Sequence, residues 1–156
     1  MKKLFSYLTI GLFVFALASC GSNSPKGVVK KAVDALVDGD GDAWLECLGV
    51  EDIDFNYKNE WKKTQKEVDF ECEKGATLNK KAEDSKRLKS VEITDDKIDE
   101  TDPYSAEVKI KFVRGNGDKD EEQTINVEKN RNGDWVLTRS AASTLKYALG
   151  RPEKND

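Results

Sequence analysis

The side chains able to do covalent or acid–base chemistry in this 156-residue chain are few. There is no histidine, which removes the commonest general base and the commonest metal ligand together. Ser-His-Asp, Cys-His and histidine–metal sites are therefore excluded. Three cysteines remain, Cys20, Cys47 and Cys72. A bridge between Cys47 and Cys72 would close a loop of about 25 residues, worth roughly 3–4 kcal/mol in the chain-entropy picture. The alternative is two buried thiols acting as small apolar residues; their separation in space decides between the two. Two thiolates without a second ligand pair make a poor zinc site. Asp38-Gly39-Asp40-Gly41-Asp42 alternates acids like the opening of a calcium loop. Such a loop needs Gly at its sixth position and Glu at its twelfth, and Ala43 and Gly49 stand there. The stretch reads instead as a tight helix–helix turn, with Asp42 capping a short helix over Ala43 to Leu48. The acidic runs Asp95 to Asp102 and Asp118 to Glu122 read as solvated loops rather than calcium sites. Chemistry by carboxylates alone would need a buried Asp or Glu with a strongly raised pKa. No catalytic set, cofactor site or metal site stands out.

Cys20 has a different setting. Lys2 and Lys3 are followed by an uncharged run from Leu4 to Leu17, then Ala18, Ser19 and Cys20. A basic start, an apolar stretch and small residues are the order of a secretory signal. Fourteen helical residues reach roughly 21 Å, short of the about 30 Å hydrocarbon core of a bilayer. Leu17-Ala18-Ser19-Cys20 resembles the bacterial lipoprotein signal, Leu-(Ala/Ser)-(Gly/Ala/Ser)-Cys, at all four positions. The resemblance implies cleavage after Ser19, a diacylglycerol thioether on Cys20 and usually a third chain on its amine. Two or more acyl chains anchor stably where one holds only marginally. Gly21, where the best-known sorting rule reads Asp for the inner membrane, points to an outer-membrane lipoprotein facing the periplasm. The expected organisation is a cleaved signal over residues 1–19, a lipidated tether over 20–24, one domain over 25–150 and a disordered tail over 151–156.

Lys2 and Lys3 belong to the leader, so of 26 basic and 30 acidic side chains the mature part keeps a net charge of −6. Both signs are interspersed, and nucleic-acid binding has no electrostatic footprint. The elements follow from periodicity. Ser24 and Pro25 open a helix whose Val28, Val29, Ala32, Val33, Leu36 and Val37 recur at helical spacing, with Gly39 as its stop. Gly49 to Asn56 reads as irregular. From about Tyr57 a charged helix carries Trp61, Val68 and Cys72 on one face, with Phe70 off it; Gly75 is a candidate break, and Leu78 and Ala82 extend it towards Ser85. Beyond Arg87 the period becomes two. Val91 and Ile93 mark a first strand, and Asp95 to Asp102 an acidic connection. Ala106, Val108, Ile110 and Phe112 form the inward row of a second strand, and Gly115 to Asp118 a turn. Ile125 and Val127 lie in a third strand, Asn130 to Gly133 form a turn, and Trp135 and Leu137 lie in a fourth. Ser140 to Gly150 reads as a short capped helix or a loose arm. One wet face marks the sheet as antiparallel. The class is α+β: N-terminal helices packed on a curved antiparallel sheet of about four strands.

The helix pattern Pro-x-x-Val-Val-x-x-Ala-Val-x-Ala-Leu, the Gly-Asp turn with a Trp-bearing helix over Asp40 to Leu48, and Gly133-Asp134-Trp135 on the last strand resemble one group. It is the small bacterial lipoproteins with a nuclear-transport-factor-2-like domain, over about Pro25 to Thr138. The resemblance implies a cone-shaped fold, cystatin-like in outline, in which a bent sheet wraps a long helix and often leaves a pocket at the open end. Enzymes with that fold place Asp, His, Tyr or Arg on the inner sheet face, and none of those positions maps here by motif.

The expected function is a membrane-tethered envelope lipoprotein acting as a non-catalytic binding or interaction module. Its partners would be the membrane, through Cys20, and an envelope protein, a glycan or the cell wall. The alternative is a carrier or sensor of a small apolar ligand lined by Trp61, Phe112 and Trp135, and after it an enzyme using carboxylates.

Overall fold

In a computed structural model of the chain, the described residues are 23–49 and 62–149. The first helix, α1 (Pro25–Asp38), begins and ends where its sequence says. The Ser24 hydroxyl accepts the Gly27 N–H at 3.1 Å. Gly39 adopts φ 81°, and its N–H returns to the Ala35 carbonyl. This is the left-handed stop that glycine makes at little cost.

Helix α2 (Gly41–Cys47) follows after a single linking residue pair. Its cap is Asp40, not Asp42: the Asp40 carboxylate accepts the Ala43 N–H at 2.9 Å. The helix therefore starts two residues earlier than Ala43. Asp42 sits in its first turn and accepts from the Gln65 amide at 2.6 Å. Gly41 is required for space, since a Cβ there would lie 2.9 Å from Cα of Asp69 on the next helix.

Helix α3 spans Gln65–Lys81. Residues 62–64 are not helical, so the helix that carries Val68 and Cys72 begins at Gln65 with Thr64 as its N-cap; the expected start near Tyr57 and Trp61 lie outside the described residues. The reason is local. Thr64 and Glu67 form a reciprocal capping box, which satisfies two otherwise free donors and fixes the first turn. Gly75 does not break the helix, which stops at Lys81 with Ala82 as its C-cap. Val68, Cys72, Ala76 and Asn79 form its buried stripe, and Phe70 is exposed.

The sheet has four antiparallel strands in the order β1-β2-β3-β4: β1 (Leu88–Ile98), β2 (Ser105–Arg114), β3 (Gln123–Lys129) and β4 (Trp135–Leu137). Strand β1 runs four residues, Asp95 to Ile98, into what reads as an acidic connection. Val91 and Ile93 face the same side as Phe112 and Ile110, but Asp95 pairs with Lys109 and Asp96 with Val108. One extra residue, Thr94, is accommodated by a bulge between them. A bulge inverts which residues face inward. Asp96 and Ile98 thus join the helix-facing row, and the alternation that marks a strand is interrupted just where the acids begin. A second irregularity lies between Leu88 and Ser90. The last helix, α4 (Arg139–Tyr147), is capped by Thr138, whose hydroxyl accepts the Ala141 N–H.

The architecture is α+β, with four helices and a four-stranded open sheet among the described residues. One core fills the space between them. Val29, Val33 and Leu36 of α1 meet Trp44 and Leu45 of α2, Val68 of α3, Val108, Ile110 and Phe112 of β2, Ile125 and Val127 of β3 and Leu145 of α4. Two buried polar side chains lock its edge. Asn79 donates to the Leu88 carbonyl and accepts the Leu88 N–H, both at 2.8 Å, pinning α3 to the start of β1. Arg114, 3% exposed, pairs with Asp120 through both Nε and Nη2. Its Nη1 donates to the carbonyls of Lys86 and Ala148.

Candidate functional site

Cys20 lies outside the described residues. Cys47 and Cys72 are both buried and both free thiols, so the bridge expected as one alternative is not formed in this structure. They sit on α2 and α3, 1% exposed each, where a small apolar side chain is what the packing asks for. Burial pushes the Cys47 thiol up to about 12 and the Cys72 thiol up to about 11. A thiol held there is protonated at neutral pH, and the thiolate is the nucleophile.

Carboxylates with perturbed environments are shifted the wrong way for proton donation. Asp99 is held below the usual range by hydrogen bonds from the Thr101 hydroxyl and its N–H. Glu67 is lowered by the Thr64 N–H and then by its hydroxyl. Burial acts to raise Glu71, but hydrogen bonds from Lys63 and Lys146 outweigh it and the net shift is down. Lys146 also lies over the Trp44 ring at 5.6 Å. Among the described residues no group of three His, Cys, Asp or Glu is placed to hold a metal ion.

The aspartates of the Asp38 to Asp42 stretch serve as cap and link, as a turn requires. The acidic run from Asp118 is not simply solvated, because Asp120 is the partner of buried Arg114. Sequence reasoning missed Arg114. Its signal was an arginine at the inward end of a strand, where an apolar residue would continue the row.

Three clefts stand out among the described residues. One of about 480 Å³ lies at the end of the sheet where β1 meets the β1–β2 turn. Its walls include Lys97, Asp99, Glu107, Asn126, Glu128 and Thr138. Ala106 and Val127 complete the wall, so the cleft offers apolar surface as well as groups that can hold hydroxyls or charges. A second cleft of about 330 Å³ runs between α1, α2 and the β3–β4 turn, with Val28, Lys31, Glu46, Asn130 and Trp135 in its wall. A third, also about 330 Å³, is bounded by Phe112, Gln123, Thr144 and Tyr147. The expected apolar chamber thus has its two described aromatics in different places: Phe112 borders the third cleft and Trp135 the second. The inner sheet face between them is filled by the core.

The sequence profile of a family described as Domain of unknown function (DUF4878) matches residues 18–138. The chain belongs to that family. No curated protein matches it significantly. Among solved structures it is similar to a Campylobacter jejuni protein that carries the provisional name NTF2-like transpeptidase. The identity is 13%, the TM-score 0.51, and the match covers 73% of this chain and 96% of that one. The likeness supports the nuclear-transport-factor-2-like fold expected for this DUF4878 member and carries no chemistry across.

Proposed function

We propose that this DUF4878 protein is an envelope lipoprotein, anchored through acyl chains on Cys20 and acting as a non-catalytic binding module. The observation that carries the reading is the run Leu17-Ala18-Ser19-Cys20 behind an uncharged leader. The family match begins at Ala18, so the cysteine falls inside the segment this family shares. No helix among the described residues is long and apolar enough to cross a membrane, and a lipid anchor needs none. The absence of catalysis is supported by the buried, protonated thiols, the lowered carboxylates and the lack of histidine. Gly21 favours the outer membrane, facing the periplasm.

The test is intact mass measurement of the protein extracted in detergent from its own host. Acylated Cys20 as the first residue is the expected result. A mature chain with an unmodified Cys20, or one still carrying residues 1–19, overturns the reading. Cys20→Ser should move the protein from the membrane fraction to the wash.

A further inference from the structure

One end of the molecule gathers every feature that a short N-terminal tether would bring to a bilayer. The C-terminal end of β1, the β1–β2 turn, the C-terminal end of β3 and the β3–β4 turn lie together there by sheet topology. The first turn of α1 joins them. Lys26 pairs with Asp96 at 3.7 Å, and Val28 shares a cleft with Asn130 of the β3–β4 turn and Trp135 at the start of β4. If Cys20 is the anchor, four residue steps separate it from Ser24. At about 3.6 Å per residue they reach no more than about 14 Å. Strand β1, at about 3.3 Å per residue over its 11 residues, carries the opposite end of the sheet roughly 30 Å away.

Five large apolar side chains are exposed among the described residues. Two of them, Ile98 at 48% and Tyr104 at 64%, lie on the tethered end. Tyrosine is a residue of the membrane–water interface, with an apolar ring and a polar tip. The charges around the pair are of both signs with an acidic excess: Lys26, Lys97, Lys129 and Arg131 against Asp96, Asp99, Glu100, Asp102, Glu107, Glu128 and Asp134. The carboxylates of Asp99 and Asp102 are turned onto their own loop, accepting from Thr101, from the Tyr104 N–H at 3.1 Å and from the Ser105 hydroxyl at 2.8 Å. A face of both signs, with two apolar tips standing clear, matches a zwitterionic headgroup layer better than a strongly anionic one.

We infer that the protein rests on its membrane through this end, with Ile98 and Tyr104 seated at the headgroup level. The large cleft beside them would then open next to the bilayer, and α3 and the β2–β3 turn would face away. This rests on the lipoprotein reading and goes beyond it, since an anchor fixes attachment but not orientation.

The test uses the full lipidated protein in vesicles of phosphatidylethanolamine with a minor share of phosphatidylglycerol. Two single variants, Tyr104→Cys and Leu78→Cys, place a nitroxide label on the tethered end and on exposed Leu78 beside the Asn79 clamp at the far end. Buried Cys47 and Cys72 stay unlabelled. Intact mass first confirms the acyl chains on Cys20, and circular dichroism confirms the fold. A label at position 104 should lose accessibility to a water-soluble nickel reagent and gain it to oxygen, while one at 78 stays as in water. Equal nickel accessibility at both positions, in protein whose acylation has been verified, overturns the orientation and leaves the tethered end free for another envelope partner. Unacylated protein overturns the lipoprotein reading instead, and the orientation falls with it.

Discussion

At the scale of single residues, the side chains that look reactive are used to hold the fold. Arg114 satisfies two backbone carbonyls from distant segments and pairs with Asp120. Lysine cannot reproduce that planar fork. Arg114→Lys should therefore cost about 2–4 kcal/mol in urea unfolding, in the range for breaking a buried charge network; an unchanged midpoint would refute the role. Asn79→Ala strips both partners from the Leu88 amide, and about 2–4 kcal/mol is expected for two buried groups left unpaired. The thiols give a pH dependence. Cys47 keeps its proton to about 12 when folded against an ordinary 9.0. The native state therefore holds more protons than the unfolded state between those values. The stability this contributes is full below the unfolded value and is lost as pH rises through the window. Cys72 acts in the same direction, up to about 11. A Cys47→Ala/Cys72→Ala variant should lose stability less steeply than the parent above pH 9, between the unfolded value of 9.0 and about 11. Parallel slopes in denaturant titrations at several pH values would show that burial does not protect the thiols.

At the scale of elements, the two helix starts and the turn between them set the geometry of the helical layer. Thr64→Ala removes half of a capping box and should cost about 1 kcal/mol. Gly39→Ala should cost more, because the left-handed φ is joined by crowding, with the new Cβ 3.1 Å from that of Ala76. Thermal melting of the pair ranks the two directly. Elements whose signals are local were legible in the sequence. Helix α1 shows its cap, its stripe and its stop within 16 residues, Ser24 to Gly39. The inward row of β2 alternates without a break. What was not legible depended on long-range partners. The bulge at Thr94 hides the last turn of alternation in β1, and only pairing with β2 reveals that Asp96 and Ile98 still belong to a strand. The same holds for Arg114, whose acceptors come from segments 28 and 34 residues away. The clefts are less legible still, since each is a product of where strand ends and turns meet.

At the scale of the whole molecule, the filled inner face argues against an apolar ligand chamber, and an environment-sensitive apolar dye should gain little fluorescence on the folded protein. Strand β1 carries a wider consequence. Among the described residues it pairs with β2 alone and forms one margin of the sheet, an 11-residue strand whose outer edge meets no other described strand. Backbone groups in such a row can recruit a strand from another molecule. If the chain is anchored through Cys20 as proposed, neighbours meet edge to edge far more often than in dilute solution. The two register breaks in β1 keep that margin irregular. The bulge that seats Ile98 is one of the devices by which edge strands resist edge-to-edge pairing. Straightening it by deleting Thr94 and replacing Asp95 with Val should turn a dispersed protein into one that zips into sheets of many copies, visible as light scattering that grows with surface density.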